Sequence, residues 1–213
     1  MQLIEPSFHI LIDSTAEILL QAIECAARTC YKSEDKITED SAEHFVENII
    51  KRGHEAMIEF ADITVRFIHN RGFTHEIVRH RMCSFAQEST RYCNYSKDKF
   101  GNEITFINPY WLTGSEGSVV LNDYIKTLIA VEEMYMKMIA AGLPPNAARG
   151  ILPNDLKTEI VVKANIREWR HIFELRTADA AHPDMKRIMI PLLWEFKKRW
   201  PTFFLNIGPA API

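Results

Sequence analysis

Hydrophobic positions recur at two different periods along this chain, and the switches between them outline its elements. Leu3–Asp13 reads as a strand. Ile18, Leu19, Ala22, Ile23, Ala26 and Ala27 then return on one face at period 3.6, as in an amphipathic helix. Ser14-Thr-Ala-Glu17 ahead of them is a capping-box pattern, in which the serine oxygen takes an orphan N–H and Glu17 reaches back. A second helix is predicted over Ser41–Arg52, with Phe45, Ile49 and Ile50 inward and Gly53 as its stop. Ile58, Phe60, Ile63, Val65 and Phe67 are β-branched or aromatic and predict a strand, irregular near Ala61-Asp62 and ended by Gly72. Thr74 is placed to cap a short helix running to about Met82.

Ser84–Phe100 has no sustained period and is rich in polar residues, so it reads as a structured loop. Glu103–Ile107 predicts a short strand ahead of Pro109, and Val119–Ala141 a long helix stopped by Gly142-Leu-Pro-Pro145. A strand over Thr158–Lys163 and helices over Arg167–Ala178 and Met185–Arg199 complete the pattern. Strands and helices alternate without the regular βαβ rhythm of a parallel sheet. The expected fold is α+β: one domain over residues 1–213, with helices on a mainly antiparallel sheet.

Composition narrows the class. The 213 residues are 47% hydrophobic and 25% charged, the profile of a globular protein. A net charge of −3 supplies no global basic field for nucleic acid. The opening segment lacks a basic stretch followed by a long apolar run, and no apolar stretch approaches the roughly 20 residues that span a bilayer. The expectation is a cytoplasmic protein, with no membrane partner and with Cys25, Cys30, Cys83 and Cys93 as reduced thiols.

Against that acidic background, Arg66–Arg91 is locally cationic. Arg66, Arg71, Arg79, Arg81 and Arg91 outweigh Glu76 and Glu88, and Phe73, Phe85, Tyr92 and Tyr95 lie among or just beyond them. Such a segment is either a solvated basic face or the lining of a pocket for an aromatic, phosphorylated ligand. His75-Glu-Ile-Val-Arg-His80 is not a zinc motif: its histidines are five apart, about 140° around a helix, and no other compact ligand set predicts a metal. Ser89 is either a nucleophile, if a general base lies within reach, or an anion ligand with Thr90 and Arg91. Cys83 and Cys93 are either nucleophiles or small buried hydrophobes. Later, Asn165 fits a helix N-cap, and Arg167 and His171 share a face. Arg176 lies about 180° around from Arg167; the two either form surface ion pairs or address different neighbours.

Five ordered blocks resemble the flavin-dependent thymidylate synthases. Arg79-His80-Arg81, seven residues and Ser89 match their RHR-x7-S signature, continued by Thr90-Arg91-Tyr92. Gly53-His54-Glu55, Arg149 with Leu152-Pro153, and Asn165-Ile-Arg167 with His171 and Leu175-Arg176 resemble its flanking segments. Ala86-Gln87 stands where the family often has Asn-Glu, Ala56 where it has Ser or Thr, and Ala181-His-Pro-Asp184 where AQxE is usual.

The resemblance implies a homotetramer with FAD at subunit interfaces. It implies reductive methylation of dUMP to dTMP, with methylenetetrahydrofolate as carbon donor and NADPH as hydride source through FAD. Arg79, His80, Arg81, Gln87, Asn165, Arg167 and His171 would contact FAD. Glu76, Arg79, Gln87, Glu88, Ser89, Thr90, Arg91, Arg149 and Arg176 would contact dUMP. Arg176 would be the catalytic cation, polarising the pyrimidine so that no protein nucleophile is needed. Two rival readings are a nucleic-acid-binding module using Arg66–Arg91, and an inactive nucleotide-binding relative, suggested by Gln87.

Overall fold

The computed structural model describes residues 1–11, 14–113 and 117–209, with side chains 112–119 outside the description. The elements are β1 (Gln2–Ile4), β2 (Ser7–Ile10), α1 (Ala16–Thr29), α2 (Ser41–Lys51), β3 (Asp62–Asn70), α3 (Arg71–Ile77), β4 (Ser84–Gln87) and β5 (Thr105–Ile107). They continue as α4 (Gly117–Ala140), α5 (Pro145–Ala148), β6 (Lys157–Asn165), α6 (Ile166–Arg176), α7 (Pro183–Arg199) and α8 (Pro201–Phe204). The fold is α+β, with an antiparallel sheet in the order β2-β3-β6-β4. A separate pair, β1 and β5, runs parallel. Among the described residues no helix is long and apolar enough to cross a membrane.

Several boundaries differ from the sequence reading. The opening strand is two strands in different sheets, broken at Glu5-Pro6, where proline offers no N–H to a ladder; the predicted end at Ile12-Asp13 lies outside the described residues. The cap of α1 is Thr15, whose side chain accepts from the Ile18 N–H; with Ile18 at the third helical position the reciprocal box is not made, and Glu17 accepts from Gln21 Nε2 at 3.0 Å instead. The buried face of this helix is Leu19, Leu20, Ile23, Glu24 and Ala27, leaving Ile18 exposed. The buried face of α2 is Ala42, Val46 and Ile49, with Phe45 and Ile50 half-buried. Residues Glu55–Phe60 form a 3-10 helix rather than the start of a strand. The helix expected from Thr74 begins at Arg71 because Asn70 Oδ1 takes the Phe73 N–H, and it ends at Ile77. The expected polar loop contains β4.

The chain groups into two compact units, each built from three separated segments. The first comprises Met1–Ser7, Phe67–Ile77 and Ala86–Ile160. Its core is Tyr95, Ile104, Phe106, Leu128, Tyr135, Ala148 and Leu156. Glu132 on α4 accepts the Ile104 N–H at 2.7 Å, and Gly142, at φ +88°, ends that helix.

The second unit comprises Phe8–Arg66, Val78–Phe85 and Val161–Ile213. Its centre is aromatic: the Phe196 ring lies 4.9–5.3 Å from those of Trp169, Phe173, Trp200 and Phe204. Trp169 Nε1 donates to the Ile63 carbonyl at 3.0 Å and Trp200 Nε1 to the Ser14 carbonyl at 2.9 Å, so each buried indole N–H is satisfied. Helix α1 is clasped to α2 through Glu24, which is 1% exposed. Its carboxylate accepts from Arg28 at 2.7 and 3.0 Å and from Ser41 Oγ at 2.8 Å. A buried carboxylate needs such partners.

Candidate active site

The sequence-predicted residues divide between the two units. In the first, Glu76 is half-buried on α3, Gln87 ends β4, and Glu88, Ser89, Thr90 and Arg91 follow directly. The Ser89 carbonyl takes the N–H groups of Tyr92 and Cys93, at 3.0 and 2.9 Å, closing a tight turn. Arg149, exposed just past α5, donates to Thr90 Oγ1 at 3.3 Å. Hydroxyls and two guanidinium-bearing residues thus belong to one local group, which suits an anion. The Gln87 amide donates to Thr74 Oγ1 at 2.9 Å.

Both Glu88 oxygens are engaged within this unit, one by the Tyr95 hydroxyl at 3.2 Å and one by Lys157 Nζ at 3.2 Å. Lys157 also holds Glu159 at 2.7 Å. Burial opposes the Lys157 charge, but the bonds to Glu159 and Glu88 outweigh it and raise its pKa. Burial and the Glu88 charge raise the Tyr95 phenol, which stays protonated. Lys157 was not singled out from sequence; its signal is alternation with Glu159 on one strand face.

The second unit holds Arg79, His80, Arg81, Asn165, Arg167, His171 and Arg176. Arg79 and Arg81 are exposed on the turn after α3, flanking His80, which is 5% exposed. Asn165 caps α6, its Oδ1 accepting from the Glu168 N–H at 2.8 Å. Arg167 forms surface ion pairs with Glu59 at 2.7 Å and Glu55 at 3.7 Å. The Arg176 Nε donates to His80 Nε2 at 2.9 Å. Glu168 Oε1 lies 3.4 Å from His80 Nδ1, and the His171 ring meets His80 edge-on at 5.7 Å. At about 100° per residue, His171, Glu168 and Arg176 span an arc of about 140° of α6.

Burial, reinforced by the Arg176 charge and by His171, lowers the His80 pKa from 6.5 to about 4. The ring is therefore neutral at pH 7 and can accept the Arg176 N–H. Burial also raises the Glu168 carboxyl, with His171 opposing. The Cys83 thiol is pushed up to about 12 by burial, with Glu168 adding, and burial raises Cys93. Neither is a ready thiolate, which favours the reading of both as small hydrophobes.

The neutral histidine has a consequence for stability. The unfolded chain takes up the imidazole proton below about pH 6.5, whereas the folded chain does so only near pH 4. Stability is therefore complete above pH 6.5 and is expected to fall by at most about 3 kcal/mol between pH 6.5 and 4 from this group. Urea midpoints across that window check it: His80→Gln should flatten the decline, and an unchanged slope contradicts it.

Gly53-His54-Glu55 is resolved into three tasks. Gly53, at φ +72°, terminates α2. Glu55 pairs with Arg167 and with Arg170, each at 3.7 Å. His54 lines an apolar cavity of about 660 Å³ with Tyr31, Phe45, Ile49, Arg52 and Met57. This cavity was not expected from the sequence, because exposure such as that of Tyr31 is decided by the fold. A second cleft, of about 360 Å³, is lined by Glu55, Glu59, Met82, Asn165, Arg167, Glu168, Arg170, His171 and Glu174. Arg170 is a structural cation, bonded to the Phe203 carbonyl and, at 3.0 Å, to Asn206 Oδ1.

Residues 11–202 match the family described as thymidylate synthase complementing protein. The flavin-dependent thymidylate synthase of Geobacter sulfurreducens is 30% identical over 200 residues, covering 89% of this chain and 82% of that protein. That of Pyrococcus horikoshii is 34% identical over 166 residues, covering 78% and 67%. The fold is similar to that of the UMP/dUMP methylase PolB from Streptomyces cacaoi, solved with 5-Br dUMP, with a TM-score of 0.79 and 20% identity over the full length of both chains. By the family match and by these identities, the chain belongs to the flavin-dependent thymidylate synthase family.

Proposed function

We infer that the protein methylates dUMP to dTMP, taking the one-carbon unit from methylenetetrahydrofolate and the hydride from NADPH through FAD. The observation that carries this reading is the Arg176–His80 contact at 2.9 Å. A neutral imidazole holds the guanidinium without itself cancelling any charge, so Arg176 is a positioned cation for charge that develops on a pyrimidine.

The residues of the second unit fit a flavin with a diphosphate. Among the described residues Arg79 and Arg81 form no ion pair and stand exposed, and Arg167, His171 and Asn165 line the 360 Å³ cleft. Bound FAD would supply the hydride chemistry, and the protein supplies position and electrostatics. Ser89, Thr90, Arg91 and Arg149 clamp the dUMP phosphate, while Glu76, Gln87 and Glu88 order the nucleotide and its loop. Arg176 favours loss of the N3 proton, which moves electron density toward C5 and removes the need for a protein nucleophile. Residues 1–213 act as one family domain in a cytoplasmic homotetramer, with FAD and dUMP at subunit interfaces.

The test is a visible absorbance spectrum of FAD-reconstituted protein given NADPH anaerobically, with and without dUMP, followed by assay for dTMP. Bleaching whose rate changes with dUMP, and dTMP formed on adding methylenetetrahydrofolate, are expected. Failure to retain FAD, or bleaching without dTMP, overturns the reading.

Ser89→Ala should keep turnover within about tenfold, because it removes one hydroxyl contact worth about 1 kcal/mol. The Ser89 carbonyl, which holds the turn, is unaffected. Loss of all turnover with intact dUMP binding would restore the nucleophile.

A further inference from the structure

Glu168 lies in the middle of the Asn165–His171 block, on the first turn of α6. Its side chain is 12% exposed, and its Oε1 lies 3.4 Å from His80 Nδ1. The other ring nitrogen of His80 faces Arg176 Nε at 2.9 Å. An imidazole nitrogen accepts from a guanidinium only when it carries no proton, so the ring proton belongs on Nδ1. The Glu168 carboxylate stands beside that nitrogen at 3.4 Å, in electrostatic contact rather than a hydrogen bond, and its negative charge favours the tautomer with the proton on Nδ1. A protonated Nε2 would instead turn an N–H toward the guanidinium. The bond from Nε to His80 is one constraint on the plane of the Arg176 guanidinium, and so on the direction of its terminal N–H groups.

We propose that Glu168 is a positioning residue for pyrimidine activation, acting through His80 to aim the guanidinium of Arg176. The proposal rests on the reading of Arg176 as the cation that favours loss of the N3 proton. Glu168 and Arg176 sit on one helix, eight residues apart, and His80 on a separate segment bridges them. The bridge therefore also fixes the turn carrying Arg79 and Arg81 against α6.

The experiment reads ring ionisation directly, without turnover. The flavin-loaded protein is titrated with pH while holding 5-fluoro-dUMP, whose ring proton is more acidic than that of dUMP, and ultraviolet difference spectra report the bound ring's acid constant. Far-ultraviolet circular dichroism verifies that each variant is folded. The wild type should make the bound ring more acidic than the free nucleotide, and Arg176→Ala should remove that gain. Glu168→Gln should lose about tenfold of the acidity, and Glu168→Asp, with its charge one methylene farther back, about two- to threefold. The Asp variant carries the test if the Gln variant does not fold. If Arg176→Ala keeps the wild-type acid constant, the role of Arg176 falls and the positioning role falls with it. If Arg176→Ala removes the gain but the folded Glu168 variants match the wild type, only the positioning role falls.

Discussion

Arg176→Ala is expected to lower kcat for dTMP formation by about 10²–10³ while the affinity for dUMP changes by no more than a few fold. The asymmetry follows from when the charge matters. The bound ground-state pyrimidine is neutral, and the phosphate that dominates its binding is assigned to Ser89, Thr90, Arg91 and Arg149. Only the activated ring is anionic, so the loss falls on the transition state. Flavin retention should weaken by no more than a few fold: Arg176 is not itself assigned to FAD, although its partner His80 is. Arg176→Lys should recover part of the loss: it keeps the charge, but an ammonium lacks the planar fork that His80 orients. Single-turnover rates together with calorimetric dUMP titration check this. Equal losses in rate and affinity would contradict it.

Phe196→Ala should destabilise the protein by about 3–5 kcal/mol, the cost of emptying an aromatic site in a core that cannot collapse. Phe196 is fully buried on α7, and two of its four ring neighbours, Trp169 and Phe173, belong to α6. The substitution therefore removes the support under the helix that carries Glu168, His171 and Arg176. A fall in melting temperature of about 6–20 °C is expected, with weaker flavin retention at temperatures where the variant is still folded. Phe196→Leu, which refills most of the volume, should cost about a third as much. A shift below about 1 kcal/mol for Phe196→Ala would show that the cluster is looser than its ring contacts imply.

Motif order was legible in the residues because it survives without coordinates. The Asn165 cap forms where the sequence placed it, its Oδ1 taking the third helical N–H, whereas the turn at Ser89 lies in a segment expected only as a structured loop. Of the two arginines whose neighbours were left open, Arg167 sits in surface ion pairs, and Arg176 meets a buried imidazole among its contacts. That could not be read locally, because His80 is 96 residues away in the chain. Lys157 was overlooked for a related reason. Its link to Glu88 spans 69 residues, and only strand pairing brings the two together.

The sequence by itself determined the family, the α+β class, the positions of α1, α2 and α4, and the helix stops at Gly53 and Gly142. Each depends on residues within a turn or two of one another, where periodicity, caps and glycine conformation act directly. Only the tertiary structure decided the division of the opening segment between two sheets, the parallel pairing of β1 with β5, the grouping of residues into two units, and the protonation of His80. Strand pairing and burial are set by partners far apart in the chain. The charge on a histidine depends on solvation and on neighbouring charges, here Arg176 and His171, which folding alone brings within reach.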